Sequence, residues 1–148
     1  VNISARNVFR GTVRALRPGA IHAELMLELE GGEPLVALVT MESCRELGLA
    51  PGRPALALVE ARWVMVMAGA GGSGLSARNV LRGRVKAVTA GPVNVRVLLE
   101  SQGGTEVEAV ITREAAQELG LAPGVPATAV IEASQVVLAV RERDAQEG

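Results

Sequence analysis

A gap-free offset of 72 residues carries one half of this chain onto the other. Ser4-Ala5-Arg6-Asn7-Val8 recurs as Ser76-Ala77-Arg78-Asn79-Val80, and Glu46-Leu47-Gly48-Leu49-Ala50-Pro51-Gly52 recurs as Glu118-Leu119-Gly120-Leu121-Ala122-Pro123-Gly124. Gly11, Gly19 and Gly31-Gly32 fall on Gly83, Gly91 and Gly103-Gly104. About 29 of some 65 aligned positions are identical, too many for shared composition alone. A length of 148 residues would otherwise suggest one ordinary domain. The repeat divides it instead into a first domain at 1–68, a Gly-rich linker at 69–75, a second domain at 76–140 and a polar tail at 141–148.

Each repeat, at roughly 65 residues, buries only a marginal core on its own. The chain has one Phe (Phe9), one Trp (Trp63) and no Tyr, so that core is Val, Leu, Ile and Ala. A single cysteine, Cys44, rules out an intrachain disulfide, and no Cys/His spacing suits a structural zinc. Pairing of the units or oligomerisation is expected to supply the missing burial. The same aromatic poverty argues against a base-stacking platform. The near balance of 15 Lys+Arg against 16 Asp+Glu argues against a generic nucleic-acid binder or a polybasic membrane protein. No apolar run reaches a membrane span and the start has no signal-peptide layout, which predicts a cytoplasmic protein.

Within the first repeat, Asn7 to Arg17 reads as a strand. Ile21, Ala23, Leu25, Leu27 and Leu29 alternate with His22, Glu24, Met26 and Glu28, the period of a half-buried strand. Glu30-Gly31-Gly32-Glu33 is a hairpin signal, and Leu35 to Val39 a short apolar strand. Thr40 then caps a short helix, with Glu42 in its first turn and Gly48 at its end. A turn at Ala50-Pro51-Gly52-Arg53-Pro54 leads into strands at Ala55 to Val59 and Val64 to Met67. The order β-β-β-α-β-β predicts an all-β chain: two tandem OB-like five-stranded barrels, each with one short helix.

The repeat also permits an internal comparison. The lone His22 aligns with Asn94 and the lone Cys44 with Ala116, so neither serves an activity common to both halves. Cys44 is expected as a small buried side chain and His22 as a polar-face strand residue. No acid, base or nucleophile constellation occurs in both copies, which argues against an enzyme. No calcium loop is present, and Gly31-Gly32 has no phosphate-loop Lys after it. Ser-Ala-Arg-Asn is retained in both copies. Strand entry and a surface ion pair would explain it. So would an oxyanion site, in which Arg offers a planar fork of donors, Ser a hydroxyl and the backbone its N–H groups. Thr40 and Ser43 at the helix start would add donors.

Taken together, these stretches resemble the Mop domain of molybdate/tungstate-binding proteins in its tandem, di-Mop form. The likeness runs through Ser4 to Val13, Gly19 to Leu25, Val39 to Ser43, Glu46 to Leu49 and Ala61 to Val64. In the second copy it runs through Ser76 to Asn79, Gly91 to Asn94 and Ile111 to Glu114. The resemblance implies intracellular molybdenum storage or homeostasis, with no cofactor and no direct metal ligand, the metal being bound as molybdate or tungstate. It implies a trimer of tandem chains with oxyanions between subunits in two kinds of site. One kind would use Ser4, Ala5, Arg6, Asn7, Thr40, Ser43, Glu60 and Ala61, and in the second copy Ser76, Ala77, Arg78, Asn79, Thr112, Glu132 and Ala133. The other, near the three-fold axis, would use Gly19, Ala20, Ile21, His22, Gly91, Val93 and Asn94.

This chain departs from the family pattern. The family usually has Lys where Glu60 and Glu132 stand, and a carboxylate repels a dianion. Pro92 replaces Ala20 and removes a backbone donor, and Ala115 replaces Ser43 and removes a hydroxyl. Selectivity follows from protonation: molybdate is fully deprotonated at neutral pH and needs only donors. Phosphate usually keeps a proton, and leaving it unpaired costs on the order of 1–3 kcal/mol. Two other readings stand beside this one. One is a ligand-sensing or interaction module of a molybdate regulator or transporter; the other, less in keeping with the composition, is an OB-fold nucleic-acid binder.

Overall fold

The structure, a computed structural model, describes residues 7–69 and 74–141. Ten strands, β1 (Asn7–Pro18), β2 (His22–Leu29), β3 (Pro34–Thr40), β4 (Pro54–Val59), β5 (Met65–Ala68), β6 (Asn79–Ala90), β7 (Asn94–Ser101), β8 (Glu106–Thr112), β9 (Pro126–Ile131) and β10 (Val137–Ala139), form two five-stranded sheets. Two seven-residue helices, α1 (Met41–Leu47) and α2 (Arg113–Leu119), follow β3 and β8. Short 3-10 turns occupy Ala61–Trp63 and Ala133–Gln135. The expected order of elements is therefore observed in both halves. The 3-10 turn between the last two strands is an addition to that order.

The sheet orders are β10-β4-β1-β2-β3 and β5-β9-β6-β7-β8, antiparallel throughout. The chain forms two compact units, one of Val1–Val59 with Ala133–Gly148, the other of Glu60–Glu132. The sequence repeats and the compact units thus differ at the final strand. The strand that ends the first repeat, β5, pairs with β9 in the second unit (Met65 with Val130, Val66 with Ala129). The strand that ends the second repeat, β10, pairs with β4 in the first unit (Val137 with Leu58, Leu138 with Ala57). In place of one barrel built wholly from 1–68 and another from 76–140, each barrel takes its fifth strand from the other repeat. In the first unit β10 and the turn Ala133–Gln135 come up against β3, curling the sheet into an OB-like barrel.

The core is aliphatic. Val13, Ala23, Leu25, Leu27, Leu35 and Ala37 are fully buried in the first unit, as are Val97, Ala109, Ala127 and Ile131 in the second. Phe9 is the one aromatic side chain among the buried residues, at 7% exposed. The period-two reading of β2 holds for Ala23, Leu25, Leu27 and Leu29. Ile21 departs from it: it lies in the turn before the strand and is 70% exposed. Strands β4 and β9 are buried along five of their six residues, both faces included. The buried Thr128 hydroxyl there donates to Gly69 O at 2.8 Å.

Close strand approach explains one retained glycine. A Cβ on Gly11 would sit 2.9 Å from Glu28 O, and one on Gly83 would overlap Glu100 O. Just beyond, β1 is irregular between Val13 and Ala15, where Val13 N donates to Arg53 O and Gly52 N donates to Val13 O. Gly48 ends α1 in the left-handed conformation (φ 66°) and Gly120 ends α2 likewise. On the outer faces Lys86 bonds Glu106 at 2.6 Å. That bond, with the Glu106 charge, raises the Lys86 ammonium above its usual range.

Candidate functional site

Two of the sequence-predicted segments meet at one end of each barrel because of strand register. His22 pairs with Thr40 across β2 and β3, and Asn94 pairs with Thr112 across β7 and β8. The turn before β2 therefore lies beside the start of α1, and Met41 N donates to Ile21 O at 2.7 Å. Thr40 is the helix cap: its Oγ1 accepts from Ser43 N at 3.1 Å and bonds Ser43 Oγ at 2.9 Å. With Oγ accepting from Thr40, the Ser43 hydroxyl proton is left to point elsewhere. Thr112 accepts from Ala115 N at 3.1 Å, but Ala115 carries no hydroxyl.

The turns themselves differ in donor count. Gly19 N donates to His22 O and Gly91 N to Asn94 O, both at 2.8 Å, so neither glycine N–H is available to a ligand. In the first turn Ala20 and Ile21 keep N–H groups with no partner among the described residues. In the second, Pro92 has no N–H and Val93 alone keeps one. Ile21 and Val93 are 70% and 72% exposed, the two most exposed large apolar side chains among the described residues. His22 is exposed and Cys44 is buried, its thiol directed to Leu49 O at 3.7 Å, so the thiol is not turned toward the imidazole.

The second group of predicted residues lies at the start of the first strand of each repeat. Ser4, Ala5 and Arg6 lie outside the described residues. Asn7 and Asn79 open β1 and β6 and are buried, each at 3% exposure and each with a partner. Asn7 pairs with Val59 and Asn79 with Ile131. The chain next to those partners is Glu60-Ala61 and Glu132-Ala133; the ladder ends at Asn79 and Ile131, so Arg78 and Glu132 are the first residues beyond it in the second unit. Ser76 and Arg78 are exposed and Ala77 is half-buried. Arg78 has a partner of its own. Ala61 is buried while Ala133 is half-buried.

Strand exchange changes which segments share a unit. Glu60 and Ala61, from the first repeat, fall in the second unit, where the turn Ala61–Trp63 packs on β8. Ala133, from the second repeat, falls in the first unit with Asn7, Thr40 and Ser43. Glu60 makes an exposed 3.4 Å ion pair with Arg62, so its carboxylate is partly neutralised within its own turn. Among the described residues no group of His, Cys, Asp or Glu could hold a metal ion, and no helix is long and apolar enough to cross a membrane.

Comparison with protein families matches the TOBE domain twice, at residues 3–66 and 75–138. Among characterised proteins, the molybdenum-pterin-binding protein MopA of Rhodobacter capsulatus is 47% identical over 137 residues, 93% of this chain and 52% of MopA. The molybdenum transport protein ModE of Azotobacter vinelandii is 40% identical over 93% of this chain and 50% of ModE. The chain thus spans about half the length of these relatives. A crystal structure of the cytoplasmic molybdate-binding protein ModG, in a molybdate-bound form, superimposes with a TM-score of 0.90 at 52% identity. It covers 95% of this chain and all of that one. The Mop resemblance read from Ser-Ala-Arg-Asn and its companions is borne out, as is the all-β, two-barrel fold.

Proposed function

This chain belongs to the TOBE-domain family, with two copies of the domain, and from that premise we propose that it binds molybdate as an intact oxyanion, within the cytoplasm, to store or buffer molybdenum. The observation that carries the proposal is the 52% identity and 0.90 TM-score over the whole length of a molybdate-binding protein. The donor chemistry supports it. The N–H groups of Ala20, Ile21 and Val93, which have no partner among the described residues, and the Ser43 hydroxyl are donors, which suits an ion that carries no proton.

The binding unit is an assembly of chains, a trimer. One kind of site takes Ser4, Ala5, Arg6, Asn7, Thr40, Ser43 and Ala61, with Ser76, Ala77, Arg78, Asn79, Thr112 and Ala133 in the second copy. The other takes the turns from Gly19 to His22 and from Gly91 to Asn94. Exposed Ile21 and Val93 beside the turn donors support it, because burying them against other copies would desolvate the N–H groups that face an anion. Glu60 and Glu132 contribute through their chain position and not through their carboxylates. Tungstate, which resembles molybdate in size and protonation, is expected to bind alongside it. No catalytic step and no cofactor are part of this function.

The second reading, a ligand-sensing module of a longer regulator or transporter, draws on the chain's match to about half of MopA and ModE. A stoichiometric protein partner recovered by pull-down would favour it. The primary test uses Trp63, the only Trp, which is 54% exposed. Micromolar molybdate is expected to change its fluorescence and raise the melting temperature. Absence of both changes would refute the proposal.

A further inference from the structure

Away from the turns and helix starts, the outer face of the first barrel carries a groove of about 440 Å3. It opens where Gly11 lets β1 approach β2 and where Glu30 N donates to Arg10 O at 3.2 Å, which holds Arg10 and Glu30 side by side. Arg10, Thr12, Arg14, Glu28, Glu30 and Arg141 supply its polar lining. Arg14 is held by Glu28 at 3.1 Å. Arg10, Arg141 and Glu30 form no ion pair or side-chain hydrogen bond with any described residue. Two guanidinium groups and one carboxylate with no partner among the described residues therefore face one concave surface.

We propose that this groove is a binding site for a small sugar phosphate, separate from the oxyanion sites. The guanidinium forks of Arg10 and Arg141 match the oxygens of a phosphomonoester. Glu30 repels a bare dianion but accepts from hydroxyl groups, so a ligand that joins a phosphate to hydroxyl donors satisfies all three. The volume lies in the range that holds small organic ligands, roughly 300–1,000 Å3, and exceeds what one tetrahedral ion needs. No aromatic ring lines the groove, so a nucleobase gains no stacking there and a polyhydroxylated body is favoured.

The second barrel provides an internal contrast. The equivalent hollow is about 280 Å3, with Arg84 in place of Thr12 and Gln102 in place of Glu30. Arg84 Nη1 donates to Gly124 O at 3.0 Å, Lys86 is bonded to Glu106, and Arg82 has a partner. Arg84, the one cation that lines it, is engaged by a backbone carbonyl, and its remaining carboxylate, Glu100, lies 4.0 Å from Lys86, so only the first barrel carries the site.

The test is calorimetric titration of the full chain with ribose 5-phosphate, ribose and inorganic phosphate, each to about 10 mM. Saturable binding of ribose 5-phosphate is expected, with ribose and inorganic phosphate at least tenfold weaker. Arg10→Ala and Arg141→Ala should each weaken it about tenfold or more, and Glu30→Gln should weaken it while leaving the melting temperature unchanged. Molybdate binding should be the same in all three variants, which separates this site from the proposed molybdate function. Absence of saturable binding, equal binding of inorganic phosphate, or indifference to the arginine substitutions would overturn the proposal.

Discussion

Replacing Leu138 with Ala should loosen a barrel made mostly of the other repeat. Leu138 is 6% exposed and pairs with Ala57 at the edge of the first sheet, although it stands in the last strand of the second repeat. Leu→Ala in a packed core costs about 2–5 kcal/mol. The three residues of β10 form a short edge strand, which places the cost toward about 2 kcal/mol. That is about a thirtyfold rise in local opening. Hydrogen exchange read by mass spectrometry locates the opening. Protection should fall in β4 (Pro54–Val59) and β1, with β9 (Pro126–Ile131) unchanged. The reciprocal change, Val66→Ala in β5, should loosen β9 and spare β4, by a smaller factor because Val66 is only half-buried. Loss of protection in β9 on Leu138→Ala, with β4 intact, would refute the exchanged pairing.

Removing the Ser43 hydroxyl with Ser43→Ala should weaken molybdate binding about threefold to tenfold by calorimetry, and Ala115→Ser should strengthen it in the second copy. Glu60→Gln should tighten binding about two- to tenfold at low salt, and the gain should shrink as salt is added. Pro92→Ala restores a backbone N–H to the second turn and should raise the number or affinity of bound ions, measured by equilibrium dialysis. Gly48→Ala forces a Cβ into the left-handed conformation and should cost about 1 kcal/mol in chemical denaturation, with no loss of binding once folded.

Most of each barrel was legible because local signals agreed. The alternation from Ala23 to Leu29, the Thr40 cap and the Gly48 stop each describe one element without reference to the rest. Ile21 broke the pattern because a turn residue with the right parity cannot be told from a strand residue by periodicity. The exchange of β5 and β10 was not legible for a deeper reason. The repeats are alike, so Met65–Ala68 and Val137–Ala139 both suit an aliphatic strand beside β4 or β9. What decides between them is the path taken after Val59 and Ile131, not side-chain pattern. The site was legible as a set of residue types in Thr40, Ser43 and the Gly19 turn. That Gly19 and Gly91 spend their N–H groups inside their turns depends on φ and ψ, which composition does not reveal.

Calorimetric titration with molybdate, sulfate and phosphate at neutral pH shows whether these barrels bind a fully deprotonated tetrahedral oxyanion through donors alone. Tight, saturable molybdate binding is expected, with phosphate at least tenfold weaker because its proton finds no acceptor, and sulfate weaker because it is smaller. Equal binding of phosphate and molybdate, or no molybdate heat at all, would contradict such binding.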